Sequence, residues 1–158
     1  MVFHGKWYDE VNVGESFGTS VTVTETHIVL GSGMFGDFNP LHVDEEFSKK
    51  SMFGGRILHG PFTSALVASP VGIYFAGTAI AYLEHRCRFK APVRAGDTIA
   101  TRWTVTAKSD KPKHKGGIIE LAGQATNQRN ELAVECEGKI LVASKNSGTG
   151  RDEHVSDH

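Results

Sequence analysis

The chain has 158 residues, two cysteines and a formal net charge of −1, with 17 Lys and Arg against 18 Asp and Glu. This length predicts one domain over residues 1–143, followed by a polar tail, residues 144–158, that we expect to be disordered. The charge balance predicts no nucleic-acid partner, and two distant cysteines argue against a disulfide scaffold or a zinc ribbon. No apolar run approaches the ~18 residues of a membrane span, and the N-terminus lacks a signal-peptide pattern. We therefore expect a cytoplasmic protein without a membrane partner.

The first half of the chain combines one strand with short helices. Residues 17–23 alternate apolar and polar side chains, which predicts a half-buried strand. Thr24 is a candidate cap for a short helix that should end at the glycines that follow it, Gly31, Gly33 and Gly36. A second short helix is predicted over residues 44–50, with Asp44 as its cap.

One further helix precedes a run of strands. Pro61 directly after Gly60 predicts a helix start, and we expect a helix of about 10–15 residues that Pro70 kinks or ends. Four segments then alternate apolar and polar residues without another helix between them, namely 79–90, 99–106, 119–126 and 132–142. This order predicts the α+β class, with a long antiparallel sheet wrapped around one central helix.

The segment 36–44 carries the strongest chemical signal. Asp37 and His42 lie five residues apart, and Pro40 stiffens the loop between them by fixing its own φ and restricting the residue before it. A stiff loop that holds a carboxylate and an imidazole toward one point is suited to acid–base catalysis. Asp37 and Asn39 are also typical turn and cap residues, and His42 could be a buried packing residue, so both interpretations stay open.

Two further kinds of site are possible in this region, a metal site and a site for a carbonyl oxygen. Asp37, His42 and Asp44 could ligate a metal, but the set lacks a second His or Cys close by, and we predict no metal. Gly60 stands at the predicted helix start, where unpaired N–H groups can bind a carbonyl oxygen as it becomes negative. His59 beside it is interpreted as a packing or capping residue.

The polar and sulfur-bearing side chains of the predicted strands have ordinary explanations. Arg86, Arg88 and Lys90 share one strand face and are expected to meet solvent, although they could instead contact the phosphates of a nucleotide-bearing substrate. Cys87 and Cys136 fall on apolar strand faces, which predicts packing residues rather than nucleophiles.

Three segments resemble the MaoC-like (R)-specific enoyl-CoA hydratases. Residues 35–42, with Ser48 six residues further on, resemble the hydratase-2 motif of that family. Residues 55–60 resemble its lead-in to the central helix, and residues 89–97 resemble its Pro-Val-x-x-Gly-Asp turn. The motifs occur in the expected order, and the similarity covers roughly residues 10–143.

The resemblance implies a hot-dog fold, and a homodimer or higher homo-oligomer. It implies Asp37 and His42 as catalytic residues and adds Asn39 and Gly60 as substrate-binding residues. The implied reaction is reversible syn hydration of a trans-2-enoyl-CoA to an (R)-3-hydroxyacyl-CoA, with no cofactor because coenzyme A is part of the substrate. Related hydratases can carry a helix Ser two turns beyond the Gly, whereas Ala68 occupies that register here.

Two other functions stay open. One is a hot-dog acyl-CoA thioesterase, which would release free thiol, and the other is a non-catalytic acyl-thioester-binding subunit, which would bind without turnover. Hydration ranks first because both acid–base residues of the motif are present.

Overall fold

The fold is described by a computed structural model over residues 5–145. Its strands are β1 (Ser16–Thr22), β2 (Ala79–Phe89), β3 (Thr98–Lys111), β4 (Gly116–Thr126) and β5 (Leu132–Ala143). Its α-helices are α1 (Glu25–Phe35), α2 (Pro40–Val43), α3 (Glu45–Lys50) and α4 (Gly60–Tyr74). The strands form one antiparallel sheet in the order β1-β3-β4-β5-β2.

Helix α4 packs against one face of this sheet, which we call the inner face. It contacts both edge strands, β1 and β2, as well as β3, so the sheet curves around it. Trp103 on β3 is fully buried, and its indole N–H donates a hydrogen bond of 2.8 Å to the carbonyl of Val67 on α4. Gly123 on β4 makes room for the indole, because a Cβ atom there would lie 2.7 Å from the ring. The α+β class and the hot-dog arrangement expected from the sequence are confirmed.

Helix α1 is longer than predicted, whereas α4, with 15 residues, has a length within the predicted range. Helix α1 continues through Gly31 and Gly33 and ends only at Gly36, which adopts the left-handed conformation with φ of 66°. Pro70 lies inside α4 and does not end it. Its missing N–H removes one helical hydrogen bond, and the indole contact to Val67 supports the helix in the same turn.

Strands β3 and β4 are longer than their apolar alternation predicts. Their polar ends pair as a hairpin, with Asp110 opposite Gly117. Tyr8 packs on that end and donates a hydrogen bond of 2.6 Å to Asp110, and a Cβ atom at Gly117 would lie 2.2 Å from its ring. A long-range contact of this kind leaves no local signal in the strand sequences.

The start of the predicted tail is hydrogen-bonded to the N-terminal segment. The backbone N–H of Lys145 and the hydroxyl of Ser144 donate hydrogen bonds of 2.9 and 3.0 Å to the carboxylate of Asp9. The rest of the predicted tail, residues 146–158, lies outside the described residues. Within residues 5–145, no helix is long and apolar enough to cross a membrane.

Candidate active site

The turn after α1 orients the carboxylate of Asp37. One oxygen, Oδ1, accepts a hydrogen bond of 3.1 Å from the backbone N–H of Asn39. The side-chain oxygen of Asn39 in turn caps α2 by accepting from the N–H of Leu41 at 3.0 Å. Asp37 and Asn39 therefore do serve as turn and cap residues. The turn uses only Oδ1, which leaves the second oxygen of Asp37 for other contacts.

His42 lies on α2 with its imidazole largely buried. Its Nδ1 lies 2.8 Å from the carbonyl oxygen of Ile57, and because a carbonyl can only accept, Nδ1 carries the hydrogen. Nε2 is therefore a hydrogen-bond acceptor when the ring is neutral, and it lies 3.7 Å from Oδ2 of Asp37. This distance is too long for a direct hydrogen bond. A single molecule with two donor hydrogens can therefore hydrogen-bond to both of these atoms.

His59 is a fully buried support beneath this pair. Its ring stacks on that of His42 with centroids 3.8 Å apart, and its Nε2 lies 3.1 Å from the backbone oxygen of Asp37 and 3.3 Å from Oγ of Ser32. Gly31 admits the ring, because a Cβ atom there would lie 2.6 Å from Nδ1 of His59. His59 thus packs, as interpreted from the sequence. Its contact with Gly31 has no signal in either local sequence.

Three groups that could ligate a metal ion lie close together here. Asp37, His42 and His59 offer atoms that all lie within 4.8 Å of one another. Nε2 of His59 faces a carbonyl oxygen and so carries a hydrogen, which leaves no lone pair on that atom for an ion. Asp44, which the sequence suggested as a ligand, instead caps α3 by accepting from the N–H of Phe47 at 2.9 Å.

A pocket of about 260 Å³ opens between this loop and the start of α4. Gly60 is the first residue of α4, and its N–H belongs to the first turn, where backbone donors have no partner inside the helix. The pocket wall contains His42, Gly60, Thr63 and Phe89. A Cβ atom at Gly60 would lie 3.6 Å from the Phe89 ring, so a side chain at this position would narrow the pocket. The structure thus brings His42 and Gly60 into one pocket wall. Asp37 lies 3.7 Å from His42 without being part of that wall, and Asn39 serves as a cap.

The turn at residues 89–97 holds the other wall of the pocket. The side chain of Arg94 donates hydrogen bonds to the carbonyls of Phe53 and Gly55. The buried carboxylate of Asp97 accepts from the N–H of Arg94 at 3.0 Å and from the guanidinium of Arg129 at 3.0 Å. Sequence reasoning treated this turn as architecture and missed the contribution of Arg94, whose partners lie about forty residues away.

Of the basic strand residues, Arg86 and Arg88 lie away from this pocket, whereas Lys90 is part of its wall. Arg86 and Arg88 pair with Glu137 on the outer face of the sheet, and Lys90 pairs with Glu135 at 3.0 Å. A wider depression of about 610 Å³ on this face contains none of the candidate catalytic residues. Two carboxylates, Glu135 and Glu137, thus pair with these three basic groups, which favours a solvated face over a phosphate site.

The site stands inside a five-stranded hot-dog domain, and comparisons place that domain among known proteins. The family described as MaoC like domain matches residues 10–123. An (R)-specific enoyl-CoA hydratase from Rhodospirillum rubrum is 33% identical over 128 residues, which cover 76% of this chain and 89% of that protein. The chain belongs to the MaoC-like domain family.

Two solved structures align over most of the chain. R-hydratase PhaJ1 from Pseudomonas aeruginosa aligns with a TM-score of 0.77 at 28% identity, covering 88% of this chain and 86% of that one. The (R)-hydratase from Aeromonas caviae aligns with a TM-score of 0.73 at 29% identity, covering 84% of this chain and 97% of that one.

Proposed function

We propose that this protein is an (R)-specific enoyl-CoA hydratase, which adds water reversibly to a trans-2-enoyl-CoA. The observation that carries the proposal is the pair formed by Asp37 Oδ2 and His42 Nε2, 3.7 Å apart beside the start of α4. Relatives named (R)-specific enoyl-CoA hydratases support it, at 33% and 29% identity.

The pair positions the attacking water. Because both Asp37 Oδ2 and His42 Nε2 are acceptors, one water can donate to both and keep a lone pair for the β-carbon of the substrate. As the C–O bond forms, one acceptor takes a proton from the water and then delivers it to the α-carbon. Both groups lie on one loop, so hydroxyl and proton arrive on the same face and the addition is syn.

The start of α4 receives the negative charge that develops. The electron pair of the double bond moves onto the thioester oxygen, and we place that oxygen at the N–H of Gly60. A helix N-terminus favours negative charge there, and one such donor contributes about 3–4 kcal/mol to a transition state. Water addition involves no net oxidation, so we propose that neither a metal nor a redox cofactor takes part and that a chelator leaves the rate unchanged.

We also propose that the protein is a homodimer formed through the outer edge of β2. In the described part of the chain this strand pairs on one side only, with β5. Exposed apolar residues lie along it, namely Ile80, Leu83 and Phe89. An open edge of eleven residues with such side chains favours pairing with another strand. Sedimentation analysis measures the oligomeric state and so tests the proposed homodimer.

We also propose a cytoplasmic location. Both cysteines are free, which supports it.

The decisive test compares two carboxylates of the same loop. We expect the purified protein to remove the conjugated absorbance of crotonyl-CoA, and Asp37→Asn to lower kcat by about 10²–10⁴-fold, the range for loss of an acid–base group. Asp44→Asn is the matched control, because asparagine also caps helices and the carboxylate of Asp44 accepts the N–H of Phe47. It should retain the wild-type rate.

Two results would contradict the proposal. A folded Asp37→Asn protein with a near wild-type rate would remove Asp37 from the chemistry. Release of free thiol from butyryl-CoA at a comparable rate would favour a thioesterase instead.

A further inference from the structure

A second polar cluster lies one turn further along α4, outside the catalytic pair. Oγ of Ser64 on α4 lies 2.9 Å from Nε2 of His85 on β2, and Nδ1 of His85 lies 3.0 Å from the hydroxyl of Tyr82. The thiol of Cys87 lies 3.2 Å from His85 Nε2 and 3.5 Å from Ser64 Oγ. We call Ser64, His85, Tyr82 and Cys87 the bridging cluster, because its hydrogen bonds span the gap between α4 and β2.

An acyl chain that runs along α4 from Gly60 toward Ser64 would reach the bridging cluster. Gly60 and Ser64 are four residues apart and share one face of α4, separated by about 6 Å along the helix axis. Phe89 and Cys87 are two residues apart and share the inner face of β2. The gap between helix and strand is therefore occupied first by the Phe89 ring beside Gly60 and then by the hydrogen bond from Ser64 to His85. The 260 Å³ pocket is lined by Gly60 and Phe89, and the bridging cluster is not part of its wall.

The cluster is satisfied by its own members. Both ring nitrogens of His85 have partners, so His85 offers no free nitrogen to a polar substrate end. Burial lowers the pKa of His85 from its ordinary value of 6.5, so the ring is uncharged at neutral pH and offers no cation to a carboxylate. An alkyl chain that enters the gap must separate Ser64 from His85 and leave their polar atoms unpaired against hydrocarbon.

We infer that the bridging cluster closes the acyl end of the site and restricts this protein to short acyl thioesters. This inference rests on the proposed function for its substrate class. The rise of about 6 Å between Gly60 and Ser64 corresponds to roughly four carbon–carbon bonds of an extended chain. A four-carbon acyl group ends before the cluster, and an eight-carbon group runs into it.

The test compares chain lengths in two matched serine variants. Wild type should show a kcat/KM for trans-2-octenoyl-CoA at least about tenfold below that for crotonyl-CoA, the scale of pocket discrimination between acyl chains. Ser64→Ala removes the bond from α4 and should raise the octenoyl-to-crotonyl ratio by about tenfold. Ser69→Ala makes the same substitution at an exposed position of the same helix and should leave the ratio unchanged. Tyr82→Phe removes the hydrogen bond to Nδ1 of His85 but keeps the bond to Ser64. It should raise the octenoyl-to-crotonyl ratio by less than Ser64→Ala does.

Binding of saturated thioesters separates this inference from the hydratase assignment. The Kd values of butyryl-CoA and octanoyl-CoA should show the same preference for the short chain in wild type and its loss in Ser64→Ala. Normal butyryl-CoA binding without hydration of crotonyl-CoA would refute the hydratase and leave the Kd ratio as the test of the cluster. Equal affinities for both chains in wild type, a ratio unchanged by Ser64→Ala, or no binding of either thioester would overturn the inference.

Discussion

The loop of residues 36–60 and the gap between α4 and β2 hold their polar groups by different means. In the loop, the candidate catalytic side chains bond to backbone groups, as Asp37 does to the N–H of Asn39 and His42 to the carbonyl of Ile57. In the gap, side chains bond to side chains from another element, as Ser64 does to His85. The loop holds its reactive side chains through its own backbone groups, whereas the gap depends on how the helix packs on the sheet. The comparison indicates that chemistry and acyl-chain selection can be altered separately.

The largest effect should come from a change that reaches the loop through packing alone. Gly31→Ala places a methyl group 2.6 Å from Nδ1 of His59 and displaces the ring that supports His42. We expect a loss of about 1–3 kcal/mol in unfolding free energy from overpacking, and a fall in kcat of about 10²-fold from the misplaced imidazole. Urea unfolding and the crotonyl-CoA assay measure the two effects.

Gly33→Ala is the control for that change. Gly33 lies in the same helix, and a Cβ atom there would meet nothing within 4 Å. Alanine should therefore stabilise the protein by up to about 1 kcal/mol without a change in rate. If Gly31→Ala behaved like Gly33→Ala, the contact between α1 and His59 would have no part in positioning His42.

A smaller effect should separate the two roles of Asn39. Its side-chain oxygen caps α2, and the resemblance also implies contact with substrate. Asn39→Ala should lower the unfolding free energy by about 1 kcal/mol through loss of the cap, and Asn39→Ser should restore it because serine also caps. Both variants should raise KM, since both lose the amide. A wild-type KM in Asn39→Ser would mean that Asn39 only caps.

The contrast between the loop and the gap also explains which features can be predicted from the sequence. The strand positions, the cap at Asp44 and the pairing of Asp37 with His42 follow from local patterns, and the structure contains all three. The continuation of α1 through Gly31 and the polar bridge from Ser64 to His85 do not. Both depend on residues more than twenty positions apart that meet only after the helix has packed, so no local period or turn residue announces them.

The smallest effect concerns the pH dependence of the unfolding free energy, to which His85 contributes from the gap between α4 and β2. Burial lowers the pKa of His85 below the 6.5 of the unfolded chain, so at pH values between the two the unfolded state binds more protons. The contribution of His85 to unfolding free energy should therefore fall as pH drops through about 6.5 and stay constant above it. His85→Gln, which can still bond to Ser64 but does not titrate, should remove that part of the slope. Urea unfolding of both proteins at about pH 5 and about pH 7.5 measures the difference, and groups common to both cancel. Identical pH dependence in the two proteins would show that the imidazole is not held neutral between α4 and β2.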